Sequence, residues 1–182
     1  MIRPNHTRTL LLVAVCGSAL TTSTLRAQTD AWADLGVSVG TYDSWGAAVA
    51  FTRIGPTRHW RARIHAQGNE SWTAVGSKTI RTFGEASIQL GRPVGSCGQN
   101  WCGVYLGPAY VETTARRPMQ DLASHKTIGM SAEALMVSRR RPHLTVGVFG
   151  NLNVHAPYAG MLLSMAIGKV PIRSPADLPF LR

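Results

Sequence analysis

Apolar and polar residues alternate along most of the chain. In the segment from Leu144 to Val154, aliphatic side chains occupy one face, while Thr145, Phe149 and Asn151 are on the other. The segment from Met161 to Gly168 alternates in the same way. A period of two residues is typical of a β-strand whose two faces meet different environments. Both segments are therefore predicted to be strands.

The same rule, applied along the rest of the chain, predicts eight strands. They are Trp32–Gly40, Trp45–Arg53, Trp60–Glu70, Thr79–Leu90, Cys102–Thr113, Ile128–Arg139, Leu144–Val154 and Met161–Gly168. Most are close to the roughly 9 to 11 residues that a tilted strand needs to cross a bilayer. An even number of strands joined by turn-like connectors favours a closed, antiparallel, up-and-down barrel.

The two faces of these strands indicate which side is the interior. One face is small: Gly36, Ser38, Gly107, Ala109, Gly129, Ser131, Gly147, Ser164, Ala166 and Gly168. The other is apolar: Leu35, Val37, Val39, Val49, Phe51, Val104, Leu106, Ile128, Met130 and Met136. Small residues suit the crowded interior of a narrow barrel, and no strand has a lysine-bearing face that would meet water. We therefore predict that the apolar face contacts lipid.

Six aromatic residues lie near predicted strand ends. They are Trp32, Trp45, Trp60, Trp101, Tyr110 and Tyr158. Tryptophan and tyrosine concentrate at the two interfaces of a membrane, so we predict that these residues form the interfacial girdles of the barrel. The alternative is that the tryptophans are ordinary core residues.

This pattern extends from Trp32 to Val170 and includes the segment VYLGPAY at 104–110. On that basis the chain resembles the small outer-membrane β-barrel proteins, the class that includes the membrane domain of OmpA-type proteins. The resemblance implies a monomer in the bacterial outer membrane, in contact with its lipids. One feature departs from it: such barrels usually end on an aromatic residue, whereas here Phe180 is not terminal.

The ends of the chain divide it into three parts. Residues 1–27 combine a basic start, the apolar run Leu10–Leu20 and a polar stretch, which together predict a cleaved signal peptide. The run is too short for a typical membrane-spanning helix. Residues 28–170 form the predicted barrel, and 171–182 a proline-rich tail. We place cleavage after Ala27.

Charge and cysteine content add two constraints. Cleavage removes Arg3, Arg8 and Arg26, so the formal net charge falls from +10 to +7. Apart from the cluster at 139–141 the arginines are dispersed, so we expect no nucleic-acid partner, and we interpret the cluster as a solvated turn or a contact to anionic lipid head groups. Two cysteines remain, Cys97 and Cys102, and an oxidising compartment favours a disulfide between them.

Charged residues of both signs fall on the small face. Those predicted to meet in the lumen are Asp34, Arg61, Arg63, His65, Arg81, Glu85 and Glu133, with Gln67 beside them. We predict a structural ion-pair network that fills the lumen; the alternative is an ion path or catalytic site. A hairpin turning about Ala74 sets Arg63 opposite Glu85, and a shift of two residues brings Arg61 or His65 there instead.

No catalytic, cofactor or metal site is predicted. His65, Glu85 and Ser87 are candidate neighbours, but they face the lumen, where no acyl chain would arrive. His155 lies in the last connector, and Ser164 lies far along the last strand. No phosphate-binding loop or metal-spaced histidine pair appears.

Two connectors could bind an extracellular partner. One runs from Asn69 to Ser77 and contains Trp72; the other runs from Thr114 to Lys126 and contains Arg116, Arg117 and Met119. The sequence therefore predicts a structural envelope barrel or one that presents loops for interaction. The alternatives are a soluble periplasmic ligand-binding barrel and a lipid-modifying outer-membrane enzyme.

Overall fold

The computed structural model describes residues 30–55, 58–69, 80–98, 100–116 and 123–170. The predicted signal peptide, the proline-rich tail and the loop residues Trp72, Arg117 and Met119 lie outside this part of the chain. No helix in the described ranges is long and apolar enough to span a membrane.

Eight antiparallel strands form a closed barrel. The strands are β1 (Asp30–Gly40), β2 (Ser44–Ile54), β3 (His59–Gly68), β4 (Ile80–Cys97), β5 (Asn100–Arg116), β6 (Ala123–Ser138), β7 (His143–Leu152) and β8 (Tyr158–Gly168). Each strand pairs with the next, and β8 pairs with β1, so the sheet has no outer strand. The predicted fold class is confirmed.

The side chains alternate between wall and lumen as the sequence predicted. Leu35, Val37 and Val39 of β1 are 58 to 63% exposed, whereas Asp34 and Ser38 on the opposite face are buried. A wall of exposed aliphatic side chains that continues around the barrel suits hydrocarbon rather than water. This orientation disfavours a water-soluble barrel that would carry its apolar face inside.

Three strands exceed their predicted lengths by four or more residues. β4, β5 and β6 contain 18, 17 and 16 residues, while the other five contain 10 or 11. The segment from Arg92 to Asn100, which lies between the fourth and fifth predicted strands, is mostly strand, because a register shift between Pro93 and Gly95 lets β4 continue past the proline. The predicted connector from Thr114 to Lys126 also belongs largely to β5 and β6.

The tight turn between β4 and β5 carries the predicted disulfide. Cys97 and Cys102 are bonded, with their Cα atoms 6.0 Å apart, which confirms the pairing. This turn lies at the same end of the barrel as the start of β1 and the end of β8. We call this end the terminal rim and the other end the loop rim.

Two glycines on the inner surface leave room for aromatic rings. A Cβ atom on Gly91 would collide with the ring of Tyr105, and one on Gly103 would collide with the indole of Trp101. Both aromatic side chains therefore lie flat across the backbone of a neighbouring position. Glycine is required there by close approach rather than by turn conformation.

The closed sheet predicts a heat-dependent mobility on SDS gels. Because the sheet closes on itself through the pairing of β8 with β1, SDS should open the barrel only on heating, so unheated and boiled samples should migrate differently. The control is Leu163→Pro, which puts a residue without an N–H into β8, between Val37 of β1 and Val146 of β7. Without heating, this variant should already migrate at the position of the boiled sample. Identical migration of wild-type protein that circular dichroism shows to be folded in detergent would contradict closure.

Candidate functional site: the polar lumen

The lumen holds a chain of charges whose signs alternate. Its members are Asp34 from β1, Arg61 and Arg63 from β3, Glu85 from β4 and Glu133 from β6, and all five are buried. They meet because each occupies an inward position of its strand. In the interior of an eight-stranded barrel, side chains from opposite walls are close enough to touch.

Arg61 joins two acidic groups from opposite walls. Its guanidinium donates to a carboxylate oxygen of Asp34 and, through Nε, to Oε2 of Glu133 at 2.9 Å. The same group donates to the hydroxyl of Thr52 at 2.6 Å. One arginine on β3 therefore ties together β1, β2 and β6.

Arg63 extends the chain by one further carboxylate. Its Nη1 lies 3.4 Å from Oε2 of Glu133, and its Nη2 donates to Oε1 of Glu85 at 2.6 Å. The charged groups thus run in the order Asp34, Arg61, Glu133, Arg63, Glu85. Each arginine lies between two carboxylates, which compensates the large cost of burying a guanidinium.

Glu85 accepts hydrogen bonds from four other strands. Its donors are Arg63 of β3, Ser131 of β6 at 2.8 Å, Asn151 of β7 at 3.1 Å and the phenol of Tyr158 of β8. The charged chain contains three carboxylates but only two guanidiniums. The neutral donors therefore stabilise the negative charge that the arginines leave uncompensated. A carboxylate held by this many donors is well stabilised in its charged form.

Asp34 is held in the same way at the other end of the chain. Besides Arg61, it accepts from the indole Nε1 of Trp32 at 3.1 Å and from the hydroxyl of Thr145 at 2.9 Å. Together, the two terminal carboxylates contact side chains from β1, β3, β6, β7 and β8.

The register between β3 and β4 differs from the predicted one. His65 lies directly opposite Glu85, and Arg63 lies opposite Ser87, which corresponds to the two-residue shift considered above. Arg63 still reaches Glu85 because a long side chain spans the diagonal between neighbouring positions. His65 instead bonds to the hydroxyl of Ser38 across the lumen, with Nε2 and Oγ 2.8 Å apart.

Arg81 lies apart from this charged chain. It is half-buried near the loop rim, with its guanidinium 4.6 Å from the ring centre of Tyr42. No salt bridge to Arg81 occurs among the described residues. Gln67, the predicted polar neighbour, bonds to the hydroxyl of Ser44 at 2.5 Å.

Of the six aromatic residues predicted to form the interfacial girdles, three face outward and three face the lumen. Trp45 and Tyr110 are exposed on the outer wall, and Trp60 is half-buried on the same side. Three others lie inside the lumen: Trp32, Trp101 and Tyr158 are at most 7% exposed. They share the inward positions of the polar residues on their strands, which rules them out as interfacial girdle residues.

Aromatic side chains close the lumen on both sides of the charged chain. Toward the terminal rim, Trp32 and Trp101 meet edge to face with ring centres 5.4 Å apart, and Tyr105 lies 6.4 Å from Trp101. Toward the loop rim, Tyr158 lies 5.1 Å from Phe83.

A second group of rings joins the layer toward the loop rim. Phe149 lies 4.7 Å from His65, and Tyr42 stacks on Phe83 at 5.6 Å. The lumen is therefore a sequence of aromatic layer, charged layer and aromatic layer.

Among the described residues, the serine, histidine and carboxylate candidates named from the sequence do not form a hydrogen-bonded triad. The Oγ of Ser87 has no hydrogen-bond partner among the described residues, and neither does that of Ser164. His65 is paired with Ser38, but both are buried, the His65 ring lies against Phe149, and the carboxylate of Glu85 is occupied by other donors. In the described part of the chain, no three His, Cys, Asp or Glu side chains cluster as a metal site requires.

Comparison with known proteins identifies the fold. No family model and no curated protein matches the chain. The attachment invasion locus protein of Yersinia pestis has a TM-score of 0.56 and 10% identity, covering 79% of this chain and 99% of that one. Neisserial surface protein A has a TM-score of 0.54 and 9% identity, covering 78% and 96%.

A third similar structure comes from another organism. A major outer membrane protein of Thermus thermophilus has a TM-score of 0.53 and 10% identity, covering 75% of this chain and 98% of that one. At these identities the comparisons show the fold alone, which is that of small outer-membrane β-barrels.

The lumen geometry predicts that Glu85→Gln destabilises the barrel. The substitution keeps the shape of the side chain but removes the negative charge that compensates Arg63. In addition, the new amide N–H₂ group would face Tyr158 and Asn151, which themselves donate hydrogen bonds at this position. Removing one partner of a buried ion pair costs roughly 3 to 5 kcal/mol. The measurement is urea unfolding in lipid vesicles.

The matched control is Glu112→Gln. Glu112 is exposed on β5, near the loop rim, so the same change should leave the free energy of unfolding almost unaltered. Equal, small losses for both variants would mean that Glu85 is solvated and that the charged chain does not hold the strands together.

Proposed function

We propose that the protein is a bacterial outer-membrane β-barrel with a side-chain-filled lumen that serves as a structural component of the envelope. The observation that carries this proposal is the closure of the lumen by aromatic layers on both sides of a hydrogen-bonded charged chain. The apolar outer wall and the similarity to outer-membrane barrels support the location. In this proposed role the protein acts as a monomer and needs no cofactor.

A filled lumen argues against a role as a channel. An eight-stranded barrel is just wide enough for side chains, and here Arg61, Arg63 and three carboxylates occupy the centre. An ion would have to displace paired charges to pass. Conduction therefore requires the network and both aromatic layers to open together.

The proposal predicts that the protein does not conduct ions. Incorporated into a planar bilayer, it should give no discrete conductance steps under an applied voltage. A 16-stranded porin in the same bilayer is the positive control, because its lumen is a water-filled channel. Regular steps from protein shown by gel mobility to be a folded barrel would contradict the closed lumen.

A second role, interaction with an extracellular partner, is favoured by the shape of the loop rim. The first residues of β6, Ala123–Lys126, are exposed on both faces, so this part of the sheet extends beyond the barrel. β6 pairs with β7 only from Met130 onward, although it pairs with β5 from Ala123. One edge of the segment 123–127 therefore has no strand partner among the described residues. On that side the ring of His155, from the connector before β8, stacks on His125 with ring centres 4.7 Å apart.

An open strand edge can add a strand from another chain. Backbone N–H and C=O groups on such an edge bond readily to an extended segment, which gives affinity without a deep pocket. One similar structure is that of an attachment invasion locus protein and another is that of a surface protein. We propose that the protruding part of β5 and β6 is where a partner binds.

Trimming this hairpin should reduce attachment and leave the barrel folded. Thr113 and His125 face each other, so replacing residues 114–124 by Asn-Gly closes the hairpin at the rim. Attachment of intact bacteria to a cell monolayer should fall to the level of bacteria that lack the protein.

The control exchanges residues 98–99 for Asn-Gly, which alters a turn at the terminal rim. It should leave attachment unchanged. Undiminished attachment of the trimmed variant, with its heat-dependent gel mobility intact, would exclude this role and leave the structural one.

A further inference from the structure

A groove crosses the outer wall of the barrel from β3 to β7. Its volume is about 680 Å³. Its outward-facing apolar side chains are Leu90, Val104, Leu106, Ala132, Ala134 and Val148. Aliphatic side chains form the sides, and the two alanines together with Gly150 form the floor between them. Grooves of this size accommodate small ligands.

A second groove continues the first toward the loop rim. It measures about 320 Å³ and shares Leu106, Ala132 and Gly150 with the first, then reaches Met130 and Leu152. The combined path is apolar along the height of the wall. An extended hydrocarbon chain fits such a path better than a compact or polar ligand.

Two arginines stand at the terminal-rim end of this path. Arg58 and Arg92 line the first groove, are exposed, and flank the paired residues His59 and Gly91 on neighbouring strands. Arg92 occupies an outward position opposite Val104. Both guanidiniums therefore lie at the terminal-rim end of the groove, beside the first residue of β3.

Neither arginine has an ion-pair partner among the described residues. The described acidic residue at this rim, Asp30, is paired with Lys169 at 3.1 Å. Guanidinium groups bind phosphate oxygens through paired N–H donors, and arginines at a membrane surface attract anionic lipids. A phosphate at the end of the apolar path would complement both charges.

We propose that the groove is a binding site for one anionic glycerophospholipid. Its phosphate contacts Arg58 and Arg92, and one acyl chain lies along Ala132, Ala134 and Gly150 toward Met130. The inference rests on the proposed membrane location, and it specifies the leaflet, which is the one on the side of the terminal rim. The two alanines and the glycine leave the space that the chain fills.

The test measures lipid retention by native mass spectrometry. The barrel in detergent is mixed with equal amounts of dioleoyl phosphatidylglycerol and dioleoyl phosphatidylcholine, which differ in headgroup charge but not in chains. Wild-type protein should retain one phosphatidylglycerol in preference. Arg92→Gln should lower that preference about fivefold, as expected from the loss of one cation near an anionic lipid surface.

Two further variants test separately how the positive charge and the shape of the groove contribute to lipid retention. Arg141→Gln removes an equal charge at the same rim. Arg141 is exposed in the turn between β6 and β7, outside the groove, and as part of a solvated turn it should leave the preference unchanged when replaced. Ala134→Leu fills the floor on the lipid-facing side and should lower retention of both lipids. The water-soluble headgroup glycerophosphoglycerol, which has no chains, should not compete.

Three results would overturn the site. They are equal retention of both lipids by the wild type, an equal effect of Arg92→Gln and Arg141→Gln, or full competition by the free headgroup. Each can occur in a barrel that shows the heat-dependent gel mobility, and the proposed function would then stand. Protein that stays folded and dispersed without any detergent would instead refute the membrane location itself.

Discussion

Most of the barrel depends on the hydrogen bonds that the buried carboxylate of Glu85 accepts. It receives donors from β3, β6, β7 and β8, so it connects strands that are distant along the chain. An unpaired charge in this position would be too costly to bury. Because the donors come from opposite walls, they reach it only when the sheet has closed. Closure of the barrel and compensation of its internal charges are therefore one event.

Much of this arrangement was predictable from the two-residue period alone. That period gave the number of strands, their order along the chain and the side of the sheet on which Asp34, Arg61 and Glu133 lie. It also contained the answer that was missed for the aromatic residues. Trp32 is two residues from Asp34 and Tyr158 is six residues from Ser164, so parity places both inside. A position near a strand end is typical of interfacial aromatic residues, but parity determines the side of the sheet.

Other features depend on how neighbouring strands are aligned, which the two-residue period of the sequence does not determine. The register between β3 and β4 is set by how the connector between them turns, and a shift of two residues preserves the alternation completely. Hence the contact of Arg63 with Glu85 could be predicted, but not that His65 would be the direct neighbour. Likewise Pro93 and Gly95 have the composition of a turn, while the continued pairing of β4 with β5 makes them part of a bulged strand.

The same strands must satisfy two surroundings, and this explains where the barrel can vary. Along the apolar wall, the outer face is restricted to apolar residues and the inner face to side chains that pair or pack with one another in the narrow lumen. Above the loop rim both restrictions end at once. There β6 carries Ser124, His125 and Lys126 in succession, all exposed. A partner-binding surface can form in that segment without disturbing the charged chain around Glu85, whereas a site in the lumen could not.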